Sequence, residues 1–209
     1  PHYLVRARPL IFPTQQGPLR VQRLISPLPD YRVHDHLAAI IEHASGQSYY
    51  DYVEAHVFAP AGMRDTGSLP EEVSVPGRAT AYTRKDGAWV DAADTLPYRG
   101  TAAGGGYSTA GDLLKFARAL LDGRLLSPAL LAEATRNQTP WYGYGFMSRE
   151  QDGVRMFGHG GGAPGMNGDL RVYPAQGRVV VALANVDPPA AERLVDYYLL
   201  RMPATTPVR

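Results

Sequence analysis

Two apolar spacings alternate along the chain, one near 3.6 residues and one near 2, and they divide it into helical and extended parts. Leu37, Ile40, Ile41 and Ala44 recur at helical spacing from Asp35, with Gly46 as the stop. Ser48 with Asp51 forms a capping box opening a second helix, whose Tyr49, Tyr52, Val53 and Val57 line one face up to Pro60. The pair predicts a packed helix–turn–helix hairpin. Thr109 and Asp112 make another box ahead of Leu113, Phe116, Ala117, Leu120 and Leu121, the strongest helical stripe in the sequence, ending at Gly123. Ser127-Pro128 starts a shorter helix through Ala134.

Between these helices, RATAYTRKDGAWV predicts a hairpin turning at Asp86-Gly87. The last third reads as strands: WYGYGFMSR, VRMFGHG, GDLRVYP and RVVVALANV, separated by Asp152-Gly153, by the glycine-rich stretch GHGGGAPG, and by PAQG. Short turns between successive strands predict an antiparallel meander. Asp187 is then expected to cap a final helix from Pro188 to Arg201, with Ala191, Leu194, Val195, Tyr198 and Leu199 on the sheet. Residues 1–34, rich in proline steps, predict irregular chain. The fold class is mixed α/β (α+β), with helices flanking an antiparallel sheet.

Composition narrows the chemistry. A chain of 209 residues is expected to form a single domain over 1–209. A net charge of +1 gives no basic face for nucleic acid, and no apolar run approaches a membrane span, so the pattern predicts a soluble chain. The absence of cysteine excludes disulfides, thiolate nucleophiles and zinc ribbons, and neither a metal nor a cofactor is expected.

GHGGGAPG at 158–165 carries the main candidate chemistry. A phosphate loop needs a helix after its glycines, whereas a strand, GMNGDLRVYP, follows here. An α/β-hydrolase oxyanion loop would precede its nucleophile, yet the last serine of the chain is Ser148. Ser108, in GYSTA, reads as a capping or turn residue beside the Thr109/Asp112 box. A plain glycine-rich strand connection remains the competing reading.

Four stretches together resemble the serine β-lactamase-like hydrolases, the group of class C β-lactamases, penicillin-binding proteins, D-aminopeptidases and related esterases. They are LAAIIEHASGQSYYDYVEAHVFAPAGMRDTG, AAGGGYSTAGDLLKFARALLDGRLLSP, YGYGF with GHGGGAPG, and LRVYPAQGRVVVALANV, covering residues 19 to 201. The resemblance implies a β-lactamase/transpeptidase-like fold and an acyl-enzyme mechanism on a small-molecule or peptide substrate: a β-lactam, peptide or carboxylic ester. It places His159 in the family's third motif, His-x-Gly, where the imidazole can meet a substrate carboxylate or the second-motif tyrosine. Gly160 and Gly161 let a substrate approach closely, and Gly162 supplies the strand N–H of an oxyanion hole. Location is undetermined by the residues; the resemblance leans toward a bacterial periplasmic or exported protein. Oligomeric state is not legible.

The departures are as informative. No Ser-x-x-Lys occurs, since Lys85 and Lys115 follow Tyr82 and Asp112 by three residues. The second motif, Tyr-Ser/Ala-Asn, is also unmatched. Internal gaps relative to the family are expected near 25/26 and 31–34, leaving Tyr31 as the candidate tyrosine, two residues out of register. Three readings follow: part of a longer enzyme, a truncated or rearranged product, or a non-catalytic member retaining the pocket for binding. A fold incomplete on its N-terminal side is expected to be poorly stable, with an exposed sheet edge.

Overall fold

The computed structural model describes residues 34–201 in full apart from 96 and 152, together with the backbone of 11–12, 19–20 and 31–33. Two short strands, β1 (Ile11–Phe12) and β2 (Leu19–Arg20), pair antiparallel inside the segment expected to be irregular. Helix α1 (Tyr31–Ser45) begins four residues before Asp35 and stops at Gly46, whose φ of 70° is the left-handed turn that glycine adopts freely.

Ser48 caps α2 (Tyr49–Val53), accepting from the Asp51 amide, as its spacing predicts. The helix does not end before Pro60. It widens into a π-helical turn over Glu54–Phe58 and continues as α3 (Ala59–Ala61) to Gly62 at φ 75°. Proline has no N–H and its ring crowds the carbonyl four residues back. The Ala59 amide donates to Glu54 O, five residues back, so the chain passes Pro60 with a wider turn instead of a break.

The hairpin β3 (Tyr82–Lys85) and β4 (Ala88–Asp91) turns through Asp86 and Gly87, at φ 51° and 83°. Positive φ at both central residues matches the right-handed twist of the flanking strands. Thr109 caps α4 (Ala110–Leu121), and Ser127 with Pro128 starts α5 (Pro128–Ala134), both as predicted.

A four-stranded antiparallel meander, in the order β5 (Met147–Gln151), β6 (Val154–Ala163), β7 (Met166–Tyr173) and β8 (Arg178–Ala184), forms the centre. Two of its boundaries differ from the pattern. WYGYGF is a folded-back loop, with only a Tyr142–Met147 bridge, because Gly143 and Gly145 interrupt the pairing. The glycines of GHGGGA, read as a connection, belong to β6 itself, and the turn is confined to Pro164-Gly165. Glycine weakens a strand but does not end one when the partner strand holds register, as β7 does from Phe157↔Val172 to Ala163↔Met166.

The pleat sorts the core onto two faces. On one, Phe157, Leu170 and Val172 pack with Ala117 and Leu120 of α4, joined by Val179 and Val181. On the other, Val180 and Ala182 meet Ala191 and Val195 of α6 (Ala190–Leu199). The sheet therefore lies between two helices, an antiparallel α+β layering. Asp187 does not cap α6. Its carboxylate accepts from the Gly165 amide (2.8 Å), the Arg84 amide (3.0 Å) and Thr83 Oγ1 (2.9 Å), pinning the β6–β7 turn to the β3–β4 hairpin. The cap comes from another strand: Asn167 Oδ1 on β7 accepts from the Ala191 amide at 2.7 Å.

Candidate active site

β6 outruns its neighbour. β5 pairs with it only as far as Gly158, so among the described residues the next five, His159 to Ala163, have no partner on that edge. The alternation that buries Phe157 to 2% against α4 brings His159 and then Gly161 onto the same face, where the core gives way to solvent. His159 is exposed. A Cβ added at Gly161 would meet nothing within 4 Å, so this position borders open space.

The neighbouring glycines are required for a different reason. A Cβ at Gly160 would lie 3.3 Å from Gly168 O and 3.6 Å from Asp169 Oδ1, and one at Gly162 would overlap Pro188 and come within 2.9 Å of Asn167 Nδ2. Gly162 thus lies against the α6 side of the sheet with no room for a side chain. Asn167 Nδ2 also donates to Gly161 O at 2.8 Å, fixing the strand at its middle glycine.

His159 has a partner that the spacing of residues did not single out. Tyr142 Oη lies 2.9 Å from His159 Nε2, and the two rings meet edge-on at 5.7 Å. Trp141 packs edge-on against Tyr142 at 5.4 Å. The loop carrying these rings is held at both ends: the Tyr144 amide donates to Ala134 O at 2.8 Å, and the Ser148 amide to Trp141 O at 3.0 Å. Gly143 sits directly against the Ala134 carbonyl, where any side chain would clash. The signal for Tyr142 was present in YGYGF, but only the fold-back of that loop onto β6 identifies which tyrosine reaches the histidine.

Partial desolvation of the His159 ring, on the side turned away from solvent, holds it below the usual histidine range; the Gly160 backbone opposes this, and nearby His34 of α1 adds to the depression. Burial raises the Tyr142 phenol. Both groups are therefore neutral near pH 7. Tyr31 opens α1, and its side chain lies outside the described residues.

A buried carboxylate organises the N-terminus of α4. Asp112 is wholly buried; its Oδ2 accepts from the Asp65 amide (2.7 Å) and Thr66 Oγ1 (2.9 Å), and its Oδ1 from Lys115 Nζ (2.7 Å). Burial alone would raise its pKa, but the Lys115, Asp65 and Thr66 hydrogen bonds outweigh this and hold it below the usual carboxylate value. Ser108 Oγ, at 2.8 Å from Thr66 Oγ1, belongs to this network, as a turn residue would. Among the described residues no group of three His, Asp or Glu side chains could hold a metal ion, and no helix is long and apolar enough to cross a membrane.

An antiparallel meander between two helices, with a His-Gly-Gly-Gly strand edge opening from the core, defines the β-lactamase/transpeptidase-like fold class. The chain belongs to the Beta-lactamase family, whose model matches residues 33–202. It is 31% identical over 170 residues to penicillin-binding protein 4 of Amycolatopsis lactamdurans, covering 71% of this chain and 44% of that one. Among solved structures, a penicillin-binding protein from Bacillus halodurans superposes with a TM-score of 0.76 at 28% identity, over 83% of this chain and 56% of that one. A D-stereospecific amidohydrolase from Streptomyces sp. gives 0.63 at 28% identity, over 76% and 50%. The chain spans less than half the length of the curated relatives it matches.

Proposed function

We propose that this chain forms one wall of a serine hydrolase site of the penicillin-binding-protein type, acting on an ester or amide through an acyl-enzyme. The observation that carries the reading is the step along one face of β6 from buried Phe157 to exposed His159 to unobstructed Gly161, on a strand edge that β5 leaves free. Such an edge offers fixed backbone N–H groups to an incoming acyl oxygen, and preorganised donors of this kind are the largest usual contribution to acyl-transfer catalysis. His159 faces the acyl group, Gly161 borders the open space through which it approaches, Gly160 keeps the strand close against β7, and Gly162 contributes to the oxyanion-binding edge. Tyr31 is retained as the second-motif tyrosine. Family membership and the amide-cleaving name of the Streptomyces neighbour support hydrolysis over other acyl transfers.

A second reading is favoured by one observation: the 209 residues contain no Ser-x-x-Lys. A serine hydroxyl needs an adjacent base to become nucleophilic. In that reading the wall binds a peptide or small acyl ligand without turning it over.

Intact-mass measurement after incubation with a fluorophosphonate or benzylpenicillin separates the two. An adduct on a native protein heavier than the 22.7 kDa of these residues supports the hydrolase; a native protein that stays unmodified sinks it and leaves the binding reading.

A further inference from the structure

We propose that the hollow between the C-terminal end of α5 and the β5–β6 pair is a binding site for a small oxyanion, a carboxylate or phosphate group, received by Arg155, Arg149 and the Ser148 hydroxyl. The proposal does not depend on the hydrolase reading.

The hollow has a volume of about 360 Å³, and its lining includes Thr135, Arg136, Ser148, Arg149, Glu150 and Arg155. It is separate from the strand edge that carries His159. Arg155 and His159 lie on one face of β6 four residues apart, about 13 Å along the strand, with Phe157 buried between them.

Its donors are held in place by the protein and are only partly used by it. Arg155 stands opposite Glu150 in the strand pairing, yet its guanidinium turns to the end of α5. There Nη2 donates to Thr135 Oγ1 at 2.8 Å and to Thr135 O at 3.3 Å. Thr135 is buried, which anchors the contact, and both acceptors are neutral, so Arg155 keeps its charge and the N–H groups of Nε and Nη1. Ser148 is a diagonal neighbour of Arg155 on the same face of the strand pair. It is only 6% exposed, and among the described residues its hydroxyl has no hydrogen-bond partner. A buried hydroxyl without a partner is uncommon in folded proteins, and this one opens on the hollow.

Charge sets the sign of the ligand. Arg136 is already matched by Glu133, which accepts from its Nε and Nη2 at 2.9 and 2.5 Å. That leaves Arg149 and Arg155 against Glu150, an excess of one positive charge in the lining. An oxyanion accepts several of these N–H and O–H groups at once, and such charge-assisted bonds are the strong ones. Glu150 opposes the same ligand, which makes it a probe of the assignment.

Proton–nitrogen correlation NMR of the protein tests this, with separate titrations of inorganic phosphate, acetate and chloride at fixed pH and matched ionic strength. The expected result is saturable shifts of the Thr135, Asn137, Ser148 and Glu150 amides with phosphate or acetate, and no saturation with chloride. Which of the two saturates at the lower concentration distinguishes a phosphate from a carboxylate site. Glu150 and Arg149 are exposed, and neither holds another element in place. Glu150→Gln is expected to tighten binding about two- to fivefold and Arg149→Gln to weaken it by a similar factor. Equal responses to all three salts overturn the proposal without need of a variant, and so does a Glu150→Gln protein that binds no more tightly.

Discussion

Asn167 on β7 bridges the strand edge and α6: its Nδ2 donates to Gly161 O at 2.8 Å while its Oδ1 accepts the Ala191 amide at 2.7 Å. The side chain is buried, so no water replaces either bond when it is removed. Asn167→Leu is expected to destabilise the fold by about 1–3 kcal/mol, the cost of leaving buried backbone groups unpaired. Urea unfolding monitored by circular dichroism measures it, and a change within error would show that α6 does not depend on this cap.

The consecutive glycines 160–162 of β6 separate by what surrounds them. Gly161→Ala adds a methyl in open space and is expected to change stability by less than about 0.5 kcal/mol, as exposed substitutions do. Gly162→Ala drives a methyl into Pro188 and Asn167 and is expected to cost about 1–3 kcal/mol through overpacking. Thermal unfolding of the pair is the check; equal shifts would refute the assignment of faces along the strand.

Asp112 organises the two loops around the N-terminus of α4. Replacing it with alanine strips partners from the Asp65 amide, Thr66 Oγ1 and Lys115 Nζ together, for an expected loss of about 2–4 kcal/mol. Lys115 is partly exposed and recovers solvation, so Lys115→Met is expected to cost less than Asp112→Ala. The ordering of the two midpoints in urea tests this directly.

Asp187 predicts a pH dependence. Its carboxyl is held below the usual value by the Gly165 and Arg84 amides and by Thr83, so the folded chain binds its proton less readily than the unfolded chain does. The resulting stabilisation is present above the unfolded aspartate pKa, about 3.9, and is lost as pH falls through the lower folded value. Asp187→Asn is therefore expected to flatten the acid limb of a melting-temperature profile while lowering stability at neutral pH. A parallel profile would show that the carboxylate contributes nothing specific there.

Local rules made much of this protein legible. Ser48, Thr109 and Ser127 cap the helices that their spacing predicts, Asp86-Gly87 turns the hairpin, and the meander follows from four short apolar runs, because each of these depends on residues within about four positions of one another. Where the pattern misled, a distant partner had intervened. The β6 glycines stay extended because β7 holds them, and Asp187 serves the hairpin instead of α6; Pro60 is the local exception, staying helical through a wider turn.

The site divides the same way. His159 and its glycines were recognisable from sequence, since they stand side by side in one motif. Tyr142 was not, because YGYGF offers two tyrosines and only the fold-back of a loop across β5 selects one. Sequence by itself determined most of the elements and the family, and singled out the histidine as a candidate. Tertiary structure alone decided what the histidine touches, because a hydrogen bond between residues seventeen positions apart is fixed by strand pairing and burial and not by local spacing.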